Sequence, residues 1–207
     1  MARNPQKTAR RRLSPEARRA ELLATAMAVF AARGLGEARH AQIAEVADCS
    51  LSTVFVYFPT REELVVAVLA ETERALVEMA ERVHGQTDKS VPAVLREHIL
   101  AFTNFVESHP DYARVWLDWS TALREEYFSR YLEFQERMVG VIGESLARGQ
   151  REGTVAVNVD AAEDARLVVG SAHMLAQMKM NGRPDEAVER FINTLLGAVL
   201  GSSSATS

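Results

Sequence analysis

The chain has 207 residues, 47% of them hydrophobic and 25% charged, which is enough apolar content for a folded core. No run of about 18 apolar residues and no leader-type hydrophobic stretch occurs, which argues against a membrane span or secretion, and the single cysteine, Cys49, excludes an internal disulfide; the expected location is the cytoplasm. The net charge of −4 is unevenly divided: residues 1–66 hold ten Arg/Lys and seven Asp/Glu, a balance of +3, which leaves −7 for residues 67–207, so the positive field is concentrated at one end.

Residues 1–13, MARNPQKTARRRL, contain Arg3, Lys7, Arg10, Arg11 and Arg12, no acid and no apolar periodicity. They read as a flexible basic arm, either a solvated tail or a segment that lies in a DNA groove beside the next domain. Ser14-Pro15-Glu16 opens a helix with a capping serine, a proline at the first helical position and an acid near the positive end of the dipole. Leu22, Leu23, Ala26, Val29 and Phe30 keep helical spacing until Gly34 ends it.

The stretch from His40 to Thr60 predicts two short helices joined by a tight turn. Ala41, Ile43, Ala44, Val46 and Ala47 form a compact first helix, and Asp48-Cys49-Ser50 interrupts it, with Cys49 read as a packing residue and Ser50 as the cap of the second. That second helix is expected to bury Leu51, Val54 and Phe58 and to turn Ser52, Thr53, Val56 and Tyr57 outward, a helix-turn-helix offering them to a major groove. His40, beside the arm, and Arg61, at the next helix start, are expected to reach phosphate. Thr60-Arg61-Glu62-Glu63 is a capping box opening a helix to about His84. The expected DNA-binding domain spans residues 14–66.

Beyond a polar linker at 85–90, helical patterns cover about 91–108, 111–122, 125–151, 160–181 and 184–200, followed by a polar tail at 202–207. No segment alternates as a strand, so the expected fold class is all-α: an N-terminal three-helix domain with a helix-turn-helix and a larger helical bundle over residues 67–201. Val188, Phe191, Ile192, Leu195, Leu196 and Val199 make a face broader than a core stripe requires. They serve either the chain's own core or an isologous homodimer interface. Trp116 and Trp119, with Phe102, Phe105, Met138, His173, Met174 and Met178, either fill the core or line a cavity for a small apolar ligand.

The five histidines lack metal-ligand spacings, and no G-x-S-x-G, phosphate loop or H-E-x-x-H motif occurs, so neither metal, cofactor nor enzymatic activity is expected. A helical adaptor protein would leave the basic arm unexplained.

Four motifs carry a family resemblance: the RxRLSP arm (Arg10, Arg12, Leu13, Ser14, Pro15), HAxIAE from His40, TVFxYFPTREEL from Thr53, and VWLDWS from Val115. In these the chain resembles TetR-type transcription regulators, and among them the LuxR/HapR-type quorum-sensing regulators. The resemblance covers the first 70 residues well and the remainder more thinly. It implies a homodimer on a pseudo-palindromic double-stranded operator, a ligand cavity in the larger domain, arm contacts by Arg10 and Arg12, and a backbone contact by Tyr57. The DNA-facing set is then Arg10, Arg12, His40, Ser50, Ser52, Thr53, Val56, Tyr57, Thr60 and Arg61. One departure stands out: the LuxR/HapR-type proteins carry asparagine where this chain has Val56. A ligand-responsive repressor of an efflux or metabolic operon is the alternative.

Overall fold

The computed structural model describes residues 13–122 and 127–201; Arg10 and Arg12 of the arm, and the tail from residue 202, lie outside the described residues. Among the described residues the chain is all-α, with nine helices and no strand: α1 (Pro15–Arg33), α2 (His40–Val46), α3 (Leu51–Tyr57), α4 (Arg61–His84), α5 (Val91–Ser108), α6 (Pro110–Thr121), α7 (Phe128–Glu152), α8 (Ala161–Met180) and α9 (Asp185–Val199). No helix among them is long and apolar enough to cross a membrane.

Local signals explain the boundaries. Ser14 Oγ accepts from Ala17 N at 3.2 Å with Pro15 in the first turn, and Gly34, at φ 82°, ends α1 by donating its N–H to Phe30 O at 2.8 Å. Thr60 Oγ1 accepts from Glu63 N at 3.1 Å and starts α4. Asp160 caps α8 through the Ala162 and Glu163 amides, at 3.1 and 3.2 Å. Each bond satisfies an amide that the helix itself leaves without a partner.

The first three helices pack around Leu22, Phe30, Ile43, Val54 and Phe58, all 1% exposed or less. α4 joins this cluster through Leu64, Val65 and Val68 and continues into the larger bundle through Leu76 and Val77, so one apolar core runs through both parts. α1 also packs on α6, a second junction between the parts. In the bundle α8 lies against α7, α5 and α9, and α4 lies against α5 and α7. Arg130 and Arg137 pair with Glu73, and Arg137 with Glu81, along the α4–α7 seam; such half-exposed pairs orient the seam more than they stabilise it.

Gly149 is the tightest approach in the bundle. A Cβ there would lie 2.5 Å from Val155 Cγ2 and 2.9 Å from Val91 Cβ, so α7 meets the start of α5 only because the side chain is absent.

The structure corrects the expected faces in several places. Leu51 was expected to be buried but is 44% exposed, because Val54 and Phe58 alone fill the space beneath α3. In α9, Val188, Ile192, Leu195, Leu196 and Val199 are at most 8% exposed within a single chain, and Phe191 is half-buried. Their breadth is taken up by α5 and α8, against which α9 packs, so they are core. The outer face of this helix pair carries Leu167 (48% exposed), Gly170 and Met174 (49%) on α8, and Arg190, Thr194 and Ala198 on α9.

Candidate functional site

At 100° per residue, the buried pair Val54 and Phe58 fixes how α3 is presented. Ser52 and Val56 fall opposite it; Ser52 is exposed and Val56 is 74% exposed, the most open large apolar side chain of the helix. Thr53 and Tyr57 flank this ridge on one side, both half-buried. Leu51 and Phe55, 44% and 43% exposed, flank it on the other and were absent from the expected set. Their i, i+4 spacing beside Ser52 and Val56 was the signal that places them there.

The helix start is polar and already organised. Ser50 Oγ accepts from Thr53 N at 3.2 Å and lies 2.8 Å from both Ser52 Oγ and Thr53 Oγ1. Asp48, at φ 48°, makes the turn that separates α2 from α3, a left-handed conformation that aspartate tolerates better than most residues. Cys49 is half-buried against the core beneath this turn, consistent with packing.

Two members of the expected DNA-facing set serve the scaffold instead. His40 is 7% exposed; its Nε2–H donates to Phe58 O at 2.8 Å, and its ring stacks on Phe55 at 4.4 Å. It therefore ties the start of α2 to the end of α3. The Arg61 guanidinium donates to Leu35 O, and at 3.2 Å to Gly36 O, so it turns back onto the loop between α1 and α2. Thr60 is exposed, with its hydroxyl engaged in capping α4. Arg19 lies 5.1 Å from the centroid of the Phe58 ring and covers the other side of the same core.

The larger bundle encloses a cavity of about 50 Å3 lined by residues of α4 to α8. Of the expected lining, Phe102, Trp116 and Met138 are present. Trp119 is fully buried, with its Nε1 donating to Tyr127 O at 2.9 Å, so it is core. Phe105 stacks on His109 away from the cavity, Met174 points outward from α8, and Met178 packs half-buried elsewhere. His173 stands behind Trp116, at 4.4 Å between ring centroids, and meets the Tyr131 hydroxyl at 3.3 Å. The wall that sequence reading missed includes the inner stripe of α7, Tyr131, Phe134, Gln135 and Ile142, an equal share from α8, and His98 on α5. The i, i+3, i+4 spacing around Met138 marks that stripe. Ligand pockets for drug-sized molecules span roughly 300–1,000 Å3. This cavity admits a small fragment as it stands, and a larger ligand only if flexible walls such as Met79, Gln135 and Met138 move.

Burial dominates the ionisation here. His98 is pushed down to about 3 by desolvation and by neighbouring His84, and His84 to about 4 by desolvation and by Arg148. His84 Nδ1 bonds Ser145 Oγ at 2.7 Å, and the two imidazole rings lie 4.9 Å apart. Both are neutral near pH 7. Among the described residues, no group of His, Cys, Asp or Glu is arranged to hold a metal ion.

The family model for bacterial regulatory proteins of the TetR family matches residues 22–68, which run from the middle of α1 through the helix-turn-helix into α4. Over this segment the chain is similar to the N-terminal, DNA-binding part of TetR-family regulators. It is 38% identical over 130 residues to the HTH-type transcriptional regulator LuxR of Vibrio harveyi, and the match spans about three fifths of each protein, 61%. The fold matches a TetR-like transcriptional regulator from Rhodococcus sp. RHA1 with a TM-score of 0.76 at 21% identity, covering 92% of this chain and 100% of the other. It also matches the regulator FadR from Bacillus subtilis, solved with stearoyl-CoA, with a TM-score of 0.72 at 16% identity, covering 87% and 97%. These similar proteins are described as transcriptional regulators.

Proposed function

We propose that this chain is a TetR-type cytoplasmic transcription regulator that binds a pseudo-palindromic operator as a homodimer and responds to a small apolar ligand. The observation that carries the reading is the presentation of α3: a short helix held rigidly from behind by Val54, Phe58 and the His40–Phe58 hydrogen bond, with Ser52 and Val56 outward. Such a helix fits a major groove, where Ser52 offers a hydrogen bond and Val56 an apolar contact to a thymine methyl. Thr53 and Tyr57 flank it towards the sugar-phosphate backbone. The basic arm, with Arg10 and Arg12, supplies a cationic segment for the neighbouring minor groove.

The dimer uses the outer face of α8 and α9. Leu167, Gly170, Met174, Thr194 and Ala198 are exposed, and a Cβ at Gly170 or Gly197 would meet nothing within 4 Å, which leaves room for a second helix pair to approach closely. The ligand enters the cavity beside Trp116; the FadR neighbour, solved in complex with stearoyl-CoA, is a regulator of the same fold that takes a ligand with a long apolar chain. The similarity to LuxR favours a quorum-sensing type of regulator over the local repressor of an efflux or metabolic operon.

Selection of bound sequences from a random duplex pool tests the proposal. It should enrich a pseudo-palindrome with half-sites about one helical turn apart, and light scattering should give the mass of a dimer. A pool with no enriched sequence, or a stable monomer at micromolar concentration, contradicts it.

A further inference from the structure

The cavity wall is almost wholly hydrocarbon, and no Lys, Arg, Asp or Glu is among the described side chains that line it. Two of its side chains nevertheless carry a buried nitrogen with no hydrogen-bond partner, Trp116 Nε1 and His98 Nδ1. Trp116 is 5% exposed and His98 7%, so neither group is open to bulk solvent. An indole N–H can only donate, and a neutral imidazole donates from one nitrogen. Polar groups left unpaired in dry surroundings are costly and rare, and two in the wall of one cavity call for a common explanation.

We propose that this cavity binds a neutral, mainly apolar molecule bearing one hydrogen-bond-accepting group, such as a ketone, ester or amide carbonyl, recognised by Trp116 and His98. The inference rests on the ligand-responsive reading above and specifies the chemistry of its ligand. A hydrocarbon would fill the space and leave both nitrogens unpaired. A carboxylate would lose its hydration with no cation in the wall to replace it. Burial keeps His98 neutral, so it offers a hydrogen bond and no positive charge. A carbonyl oxygen carries no net charge, and its lone pairs accept from N–H donors such as these.

The test compares three probes of similar size: acetophenone, benzoate and ethylbenzene. Each is titrated into the full-length protein while thermal stability is followed, since a ligand that binds only the folded state raises the midpoint by mass action. Acetophenone should bind about tenfold more tightly than ethylbenzene, the gain expected of a buried hydrogen bond, and benzoate should give no shift. In Trp116→Phe and in His98→Leu, acetophenone affinity should fall towards that of ethylbenzene while ethylbenzene still binds, which shows that the cavity has survived; either variant suffices if the other does not fold. Equal binding of acetophenone and ethylbenzene to the wild type, binding of benzoate as tight as that of acetophenone, or an undiminished ketone preference in the variants overturns the inference and leaves a ligand cavity standing. No shift with any probe overturns the inference and the ligand reading together. Operator binding, measured separately, stands apart from all of these outcomes.

Discussion

The Asp118 carboxylate accepts a hydrogen bond from the Leu35 backbone N–H at 2.6 Å, across 83 residues of chain. The Leu35 carbonyl, on the other side of the same residue, accepts from Arg61, the first residue of the helix that follows the DNA-facing segment. Gly34 makes the contact feasible, since a Cβ there would lie 3.3 Å from the carboxylate oxygen on a backbone already at φ 82°. The loop leaving α1 is thus gripped by α6 and by α4, and Asp118 lies two residues beyond Trp116 of the cavity wall. A displacement of α6 at the cavity has a short mechanical route to the helix-turn-helix.

The two grips should be coupled. Asp118→Ala should lower the free energy of unfolding by about 1–2 kcal/mol, the lower part of the range for hydrogen bonds to a charged group because the site is half-buried. Arg61→Ala should cost a similar amount. Urea denaturation of both single variants and the double variant should give a coupling of about 0.5 kcal/mol or more, since both side chains restrain one residue. Strict additivity would mean that the loop is held elsewhere.

Val56 sits on the outermost line of α3, 74% exposed, and offers a duplex only methyl groups. Val56→Asn introduces a side chain that can bond adenine through two hydrogen bonds, a discrimination of roughly 1–3 kcal/mol. Sequences selected by the variant should gain adenine at one position of each half-site while the remaining positions keep their ranking. An unchanged selected sequence would remove residue 56 from the base-reading surface.

Helix existence, type and approximate ends were legible in the sequence because caps and glycines mark them, as Ser14, Thr60, Gly34 and Gly153 do. Faces were legible only where one neighbour competes for them. Val54 and Phe58 were read correctly, but Leu51 shares their side of the helix and is left outside, since two side chains suffice to fill the space. Periodicity shows that α9 has a broad apolar face and cannot show that α5 and α8 together cover it. Trp116 and Trp119, one helical turn apart, look equivalent in sequence, yet one lines the cavity and the other fills the core. His40 and Arg61 were assigned to phosphate on position alone; their partners, Phe58 O and Leu35 O, are backbone atoms that no side-chain pattern reveals.

Acid should destabilise the bundle through His84 and His98. Their folded pKa values, about 4 and about 3, lie below the ordinary histidine value of 6.5, so below that pH the unfolded chain binds protons that the folded chain does not. Stability is therefore complete above about pH 6.5 and falls as pH drops towards the folded values, by up to about 1.4 kcal/mol per pH unit for each histidine. His98→Leu should flatten this fall between pH 6 and 4.5 in denaturant titrations. An unaltered slope would place the acid sensitivity in other groups.

Gly149→Ala should destabilise the protein by about 1–3 kcal/mol through overpacking, because the added methyl meets Val155 and the Val91 Cβ at under 3 Å. Adding Val155→Ala should recover part of the loss by opening one side of the contact. Thermal unfolding of the single and double variants measures both effects; a neutral Gly149→Ala would show that α5 and α7 can separate freely.

The most direct test of the account is the salt dependence of binding to the selected duplex, measured by fluorescence anisotropy for the wild type, for Val56→Glu and for Arg10→Ala with Arg12→Ala. The wild type should lose affinity steeply with salt, with a log–log slope of roughly −0.9 per phosphate contacted. The arm variant should bind more weakly with a slope shallower by about one unit per lost contact, and Val56→Glu, which sets a carboxylate against the groove, should abolish preference for the selected sequence. Wild-type binding that is insensitive to salt, or a Val56→Glu protein that binds the selected duplex as tightly and as selectively as the wild type, would contradict the claim that α3 and the basic arm are the DNA-binding surface.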